Sequence, residues 1–109
     1  MIKMTKILKD KWIESLTLGY YKQGRGLLRK NRGNDRISYC CLGVLNDLAG
    51  RVSTSGYYLS NIDSNHIICD KNLQDILVIM NDDEKKSFSE IAEYIKKNTK
   101  IDKGILVKK

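Results

Sequence analysis

The stretch Gly19–Gly50, GYYKQGRGLLRKNRGNDRISYCCLGVLNDLAG, governs how the rest of the chain is read. It opens on a glycine-flanked polar segment, runs through a dense series of arginines and lysines, and closes on an apolar block that starts with paired cysteines. Leu27–Lys30 and Arg36–Tyr39 read as two strands around Asn31-Arg32-Gly33-Asn34-Asp35. That five-residue break is rich in turn formers, so the pattern predicts a β-hairpin. Strands this short need other elements over their apolar face. The next block supplies one: Cys41, Leu42, Val44, Leu45, Leu48 and Ala49 form a wide apolar stripe, which predicts a buried helix over 41–49 stopping at Gly50.

Before this stretch, Ile7, Leu8, Trp12, Ile13 and Leu16 recur at helical spacing and predict a helix over 5–18 with Gly19 as its stop. After it, Asp70 or Asn72 is placed to cap a helix over 73–80, which Asn81–Lys86 should break. Ser87 with Glu90 fits a capping box for a helix over 88–98 whose face is Phe88, Ile91, Ala92 and Ile95. Asn98–Gly104 should end that helix, leaving Ile105–Val107 as an edge strand. Between Arg51 and Asn72 the pattern is weaker: a loop over Arg51–Gly56, then short strands over Tyr57–Leu59 and His66–Cys69. No repeat, proline or linker divides the chain. The expected architecture is a single α+β domain over residues 1–109, a small antiparallel sheet built on the 26–40 hairpin and packed with four helices.

Composition narrows the partners. A formal net charge of +7 favours nucleic acid, nucleotides, phosphates or acidic protein surfaces. No apolar run approaches the ~18 residues of a membrane span. Three cysteines, two of them adjacent, make a poor disulfide framework and read as reduced, buried thiols of a cytosolic protein. A zinc site with His66 as fourth ligand is the weaker alternative, since adjacent cysteines lack the usual two-residue spacer.

The chemistry concentrates in the basic cluster. Lys22, Arg25, Arg29, Lys30, Arg32 and Arg36 are opposed only by Asp35. Guanidinium forks match phosphate oxygens in pairs. Gly24 and Gly26 flank Arg25 and would let backbone N–H groups approach an anion. Tyr20 and Tyr21 are suited to stack on a base, and Gln23 to meet a base edge or ribose hydroxyl. Taken as composition alone, such a run is more often a solvated basic hairpin. G-R-G lacks the spacing of a phosphate loop and the third glycine of a dinucleotide fingerprint. Asn81-Asp82-Asp83-Glu84 reads as an exposed inter-helix loop before a divalent-metal site, with a ribose contact left open. His66 has no nucleophile partner in sequence and reads as structural before catalytic. Neither an enzyme nor a cofactor is expected.

The blocks W-I-E-S-L-T-L-G-Y-Y-K-Q-G-R-G-L-L, Y-C-C-L-G-V-L-N-D-L and M-N-D-D-E-K-K-S-F-S-E-I-A-E-Y-I together resemble a family of small, mostly uncharacterised accessory proteins of tailed bacteriophages. The chain departs from that family at Leu18, where many members carry serine, at Asn46, where many carry cysteine, and across Arg51–Asn72. The resemblance implies an anti-defence protein of the host cytoplasm. Such a protein would bind and sequester a cyclic nucleotide or ADP-ribose derivative without cleaving it. Mapped onto this sequence, phosphate contacts fall on Lys22 and Arg25, and base or ribose contacts on Tyr21, Gln23, Asn81 and Asp82. The partners implied are a nucleotide-type small molecule and further copies of the chain, with no membrane. Alternatives are a nucleic-acid-binding regulator, an inhibitor that binds a host defence protein, and an enzyme that cleaves the signal.

Overall fold

A computed structural model describes residues 3–24, 29–31, 37–53 and 68–109. In chain order these form α1 (Lys6–Leu18), β1 (Arg29–Asn31), β2 (Ile37–Tyr39), α2 (Cys41–Ser53), α3 (Lys71–Val78), a π-helical turn (Ile79–Asp83), α4 (Phe88–Asn98), β3 (Thr99–Asp102) and β4 (Ile105–Lys108). The class is the expected α+β, with four helices and short antiparallel pairs. The Tyr57–Leu59 strand, His66, Arg25 and most of the hairpin turn lie outside the described residues.

Helix α1 begins where the Thr5 hydroxyl accepts from the Leu8 amide at 3.1 Å. It ends where Gly19 takes φ 71°, a conformation that glycine alone adopts without a Cβ penalty. Its buried stripe is Leu8, Trp12, Ser15 and Leu16 rather than the expected set. Ile7 is 81% exposed, because it sits one residue, about 100°, off the face that meets the core. Trp12 is fully buried, and its indole N–H donates to the Cys41 carbonyl at 2.9 Å, tying α1 to the first turn of α2. Cys41 through Ala49 are all buried, so α2 is the central helix. It runs on through Gly50 to Ser53, beyond the expected stop, since a glycine ends a helix only where the chain turns left-handed or breaks its ladder.

Helix α3 is capped by Asp70, whose carboxylate accepts from the Leu73 amide at 2.9 Å. The expected break at Asn81 is instead a widened continuation. Helical backbone persists through Asp83, and the Glu84 amide closes on the Ile79 carbonyl five residues back at 2.8 Å. Helix α4 has the full Ser87–Glu90 capping box and buries Phe88, Ile91, Ala92 and Ile95, as its sequence predicts. The segment after it is a second hairpin: β3 pairs β4 from Thr99↔Lys108 to Asp102↔Ile105. Its two-residue turn puts Lys103 at φ 51° and Gly104 at φ 80°, the geometry of a type I′ turn. Cys69 joins the outer edge of β4 through a bridge to Leu106.

Three free cysteines, Cys40, Cys41 and Cys69, are all buried. Burial raises each thiol above its ordinary value, Cys69 to about 12. They are therefore protonated at neutral pH and poor nucleophiles. Among the described residues no group of three His, Cys, Asp or Glu is placed to hold a metal ion. No helix there is long and apolar enough to cross a membrane.

Candidate functional site

Residues 22–24 run beside β2. The Tyr39 amide donates to the Lys22 carbonyl at 2.8 Å, and the Gly24 amide donates to the Tyr39 carbonyl at 2.7 Å. β1 pairs with β2 in the register Arg29↔Tyr39, so Tyr39 lies between the polar segment and the first hairpin strand. The fit is close: a Cβ on Gly24 would lie 2.5 Å from Ser38 Oγ and 2.9 Å from Ser38 Cβ. Here glycine is required by lack of room, not by dihedral angle.

Gln23 reaches inward from this segment and joins it to the far end of the chain. Its Nε2 donates to Asn81 Oδ1 at 3.0 Å and to the Lys86 carbonyl at 2.8 Å. Its Oε1 accepts from the Phe88 amide at 3.2 Å, at the start of α4. Asn81, fully buried, completes the knot. Its Nδ2 donates to the Gly24 carbonyl at 2.9 Å and to Asp82 Oδ1 at 2.8 Å, and its Oδ1 also accepts from the Cys41 amide at 3.3 Å. An asparagine amide has two N–H donors and two acceptor positions, and Asn81 uses all four inside the protein. The π-turn explains how it gets there. An extra residue in the turn rotates Asn81 from the acidic run onto the core side, leaving Asp83, Glu84 and Lys85 exposed.

Tyr21 is also engaged internally. Its hydroxyl donates to Asp47 Oδ2 at 2.5 Å, and its ring meets Tyr39 edge-on with centroids 4.9 Å apart. Asp47 and its neighbour Asn46 are both buried on α2, and Asn46 Oδ1 has no hydrogen-bond partner among the described residues. Asp47 had no place in the sequence-based site. The clue was a carboxylate inside an otherwise apolar helix, which requires a buried partner.

The structure joins Gln23, Asn81 and Asp82 through hydrogen bonds, whereas Tyr21 is bonded to Asp47 on α2. It turns Gln23 and Asn81 into the protein rather than toward a guest. Lys22 is exposed beside them, and Tyr20, 65% exposed, presents an unburied ring. Arg25 follows Gly24 in sequence and lies outside the described residues. What emerges is a clamp: three separated parts of the chain, around residues 23, 41 and 81–88, hold the base of the glycine-flanked basic segment at a fixed place.

Residues 4–73, more than half of the chain, match the family described as a domain of unknown function (DUF8296), and the chain belongs to that family. The matched span includes the Gln23 side of the clamp and α2 but stops short of Asn81 and α4. No curated protein and no solved structure matches the chain.

Proposed function

We propose that this protein is a binding module that grips a nucleotide-derived anion through its basic, glycine-flanked segment and releases it uncleaved. In the setting that the phage-protein resemblance implies, the guest is an immune signal such as a cyclic nucleotide or an ADP-ribose derivative, and binding sequesters it in the host cytoplasm. The single observation that carries this reading is the Gln23–Asn81 clamp. A loop that must meet a ligand gains affinity from being pre-positioned, and here a half-buried glutamine and a fully bonded, buried asparagine hold the start of the segment. In this scheme Gln23 and Asn81 are positioning residues, Lys22 and Arg25 meet the phosphates, and Tyr20 offers a stacking face. The net charge of +7 adds long-range attraction for such a guest.

Titration calorimetry with cyclic dinucleotides, cyclic trinucleotides, ADP-ribose and cyclic ADP-ribose tests the assignment. Saturable binding of one class, recovery of intact ligand, and at least a tenfold loss in Lys22→Ala or Arg25→Ala are expected. A flat response across the panel, accompanied by salt-sensitive shifts of plain duplex in a gel, would replace it with a nucleic-acid-binding role.

A further inference from the structure

A second surface, lined by the π-turn and α4, carries an inference of its own. The π-turn and α4 diverge to leave an open groove of about 770 Å³. Ile76, Ile79, Met80 and Tyr94 provide its apolar surface, and Ile79 is 46% exposed. Glu84, Glu90 and Glu93 stand along it with Lys86, and Glu93 is already paired with Lys97 at 2.9 Å, which leaves Glu84 and Glu90 as the acidic rim. On a chain that is otherwise strongly basic, this is an acidic, apolar recess. Two such grooves facing each other across a two-fold axis would bring like charges together, which opposes self-pairing of the groove. The complementary surface is a basic ridge with an apolar knob.

The same chain displays one. Ile7 on α1 is 81% exposed, an extreme value for a β-branched apolar side chain. Lys11, four residues on, is exposed and makes no ion pair among the described residues, while the neighbouring Lys6 is held by Asp10 at 2.8 Å. Lys11 shares the Ile7 face of the helix by its i,i+4 spacing. Ile7 is not part of the groove, so one molecule can offer its ridge and its groove at once. We propose that the Ile7 face of one copy seats in the groove of the next, giving a head-to-tail contact between copies of this chain. Ile7 covers Ile79 and Met80, and Lys11 approaches Glu84 and Glu90. Contacts of this polarity close into rings or extend as filaments, depending on the rotation they impose.

Sedimentation velocity on the full chain, with Ile7→Glu and Ile79→Glu alone and mixed, reads this out. Wild type should show a sedimentation coefficient that rises with protein concentration. Each variant alone should stay monomeric. The equimolar mixture should form a one-to-one pair, because each variant keeps the half that the other has lost. A wild type monomeric at all concentrations, an Ile7→Glu variant that still self-associates, or a mixture of folded variants that does not pair would each overturn the proposal. Should Ile79→Glu fail to fold by circular dichroism, Glu84→Lys takes its place. Pairing of Glu84→Lys with a Lys11→Glu partner is then the result expected, and its absence the result that refutes.

Discussion

Gly24 and Asn81 show how much of this fold rests on single side chains of little bulk. Gly24→Ala would set a methyl group 2.9 Å from Ser38 Cβ, a backbone-anchored atom that cannot rotate away. A destabilisation of about 1–3 kcal/mol is expected from such overpacking. Removing the obstruction with Ser38→Gly should recover part of it, as read from urea midpoints. Asn81→Leu keeps the branched shape in a somewhat larger side chain but leaves the Gln23 amide, the Cys41 N–H and the Gly24 carbonyl without the partner that Asn81 now provides. Each buried group stranded in this way costs about 1–3 kcal/mol, so a total loss on the order of 3 kcal/mol or more is expected. A double-mutant cycle with Gln23→Ala should give a coupling of about 0.5–3 kcal/mol if the two amides act as a unit. Strict additivity would mean that the clamp is two unrelated contacts. From the sequence Gln23 and Asn81 read as base or ribose contacts, and in the fold both amides bond within the protein. Amides suited to a ribose are equally suited to a backbone carbonyl, and only the tertiary fold decides which they meet.

At the scale of elements, legibility followed local chemistry. The last helix was readable to the residue because the Ser87–Glu90 box and the Phe88, Ile91, Ala92, Ile95 face agree with each other. Gly19 was readable as a stop because nothing after it continued the apolar period. The π-turn was not readable: Asn81-Asp82-Asp83-Glu84 has the composition of a loop, and helical continuation there depends on burying Asn81 against Gln23 and the first turn of α2. Of the second hairpin, Ile105–Val107 reads as an edge strand and is β4, while Thr99–Asp102 reads only as the end of the helix and is β3. The hairpin's turn, Asp102-Lys103-Gly104-Ile105, places a lysine at φ 51° where asparagine is the usual signal, so the strand pattern on either side lacked its marker. The overrun of α2 past Gly50 is the opposite error, a glycine given more weight than its backbone took. Ile7 is the instructive case on α1. At helical spacing it looked like core, and a phase difference of one residue moved it to the surface, where it becomes the knob of the proposed contact.

Taken whole, the molecule is a helical core that holds two short hairpins and fixes a polar segment beside β2. Trp12, Leu45, Leu73, Leu77, Ile91, Ile95 and Leu106 are fully buried in that core. The clamp adds a constraint on the segment's position. It locks residues 22–24 against β2, the π-turn and the start of α4 together, so the basic residues that follow start from a defined point. A fixed starting point for the basic residues is the physical basis for the binding role proposed here, and the groove beside α4 offers a further route to assembly. The most direct test is native mass spectrometry of the protein purified gently from phage-infected, defence-active cells. A discrete added mass matching an intact nucleotide-class compound, reduced in Arg25→Ala, is the result predicted. A bare polypeptide mass from those same cells, unchanged by the substitution, would contradict the account.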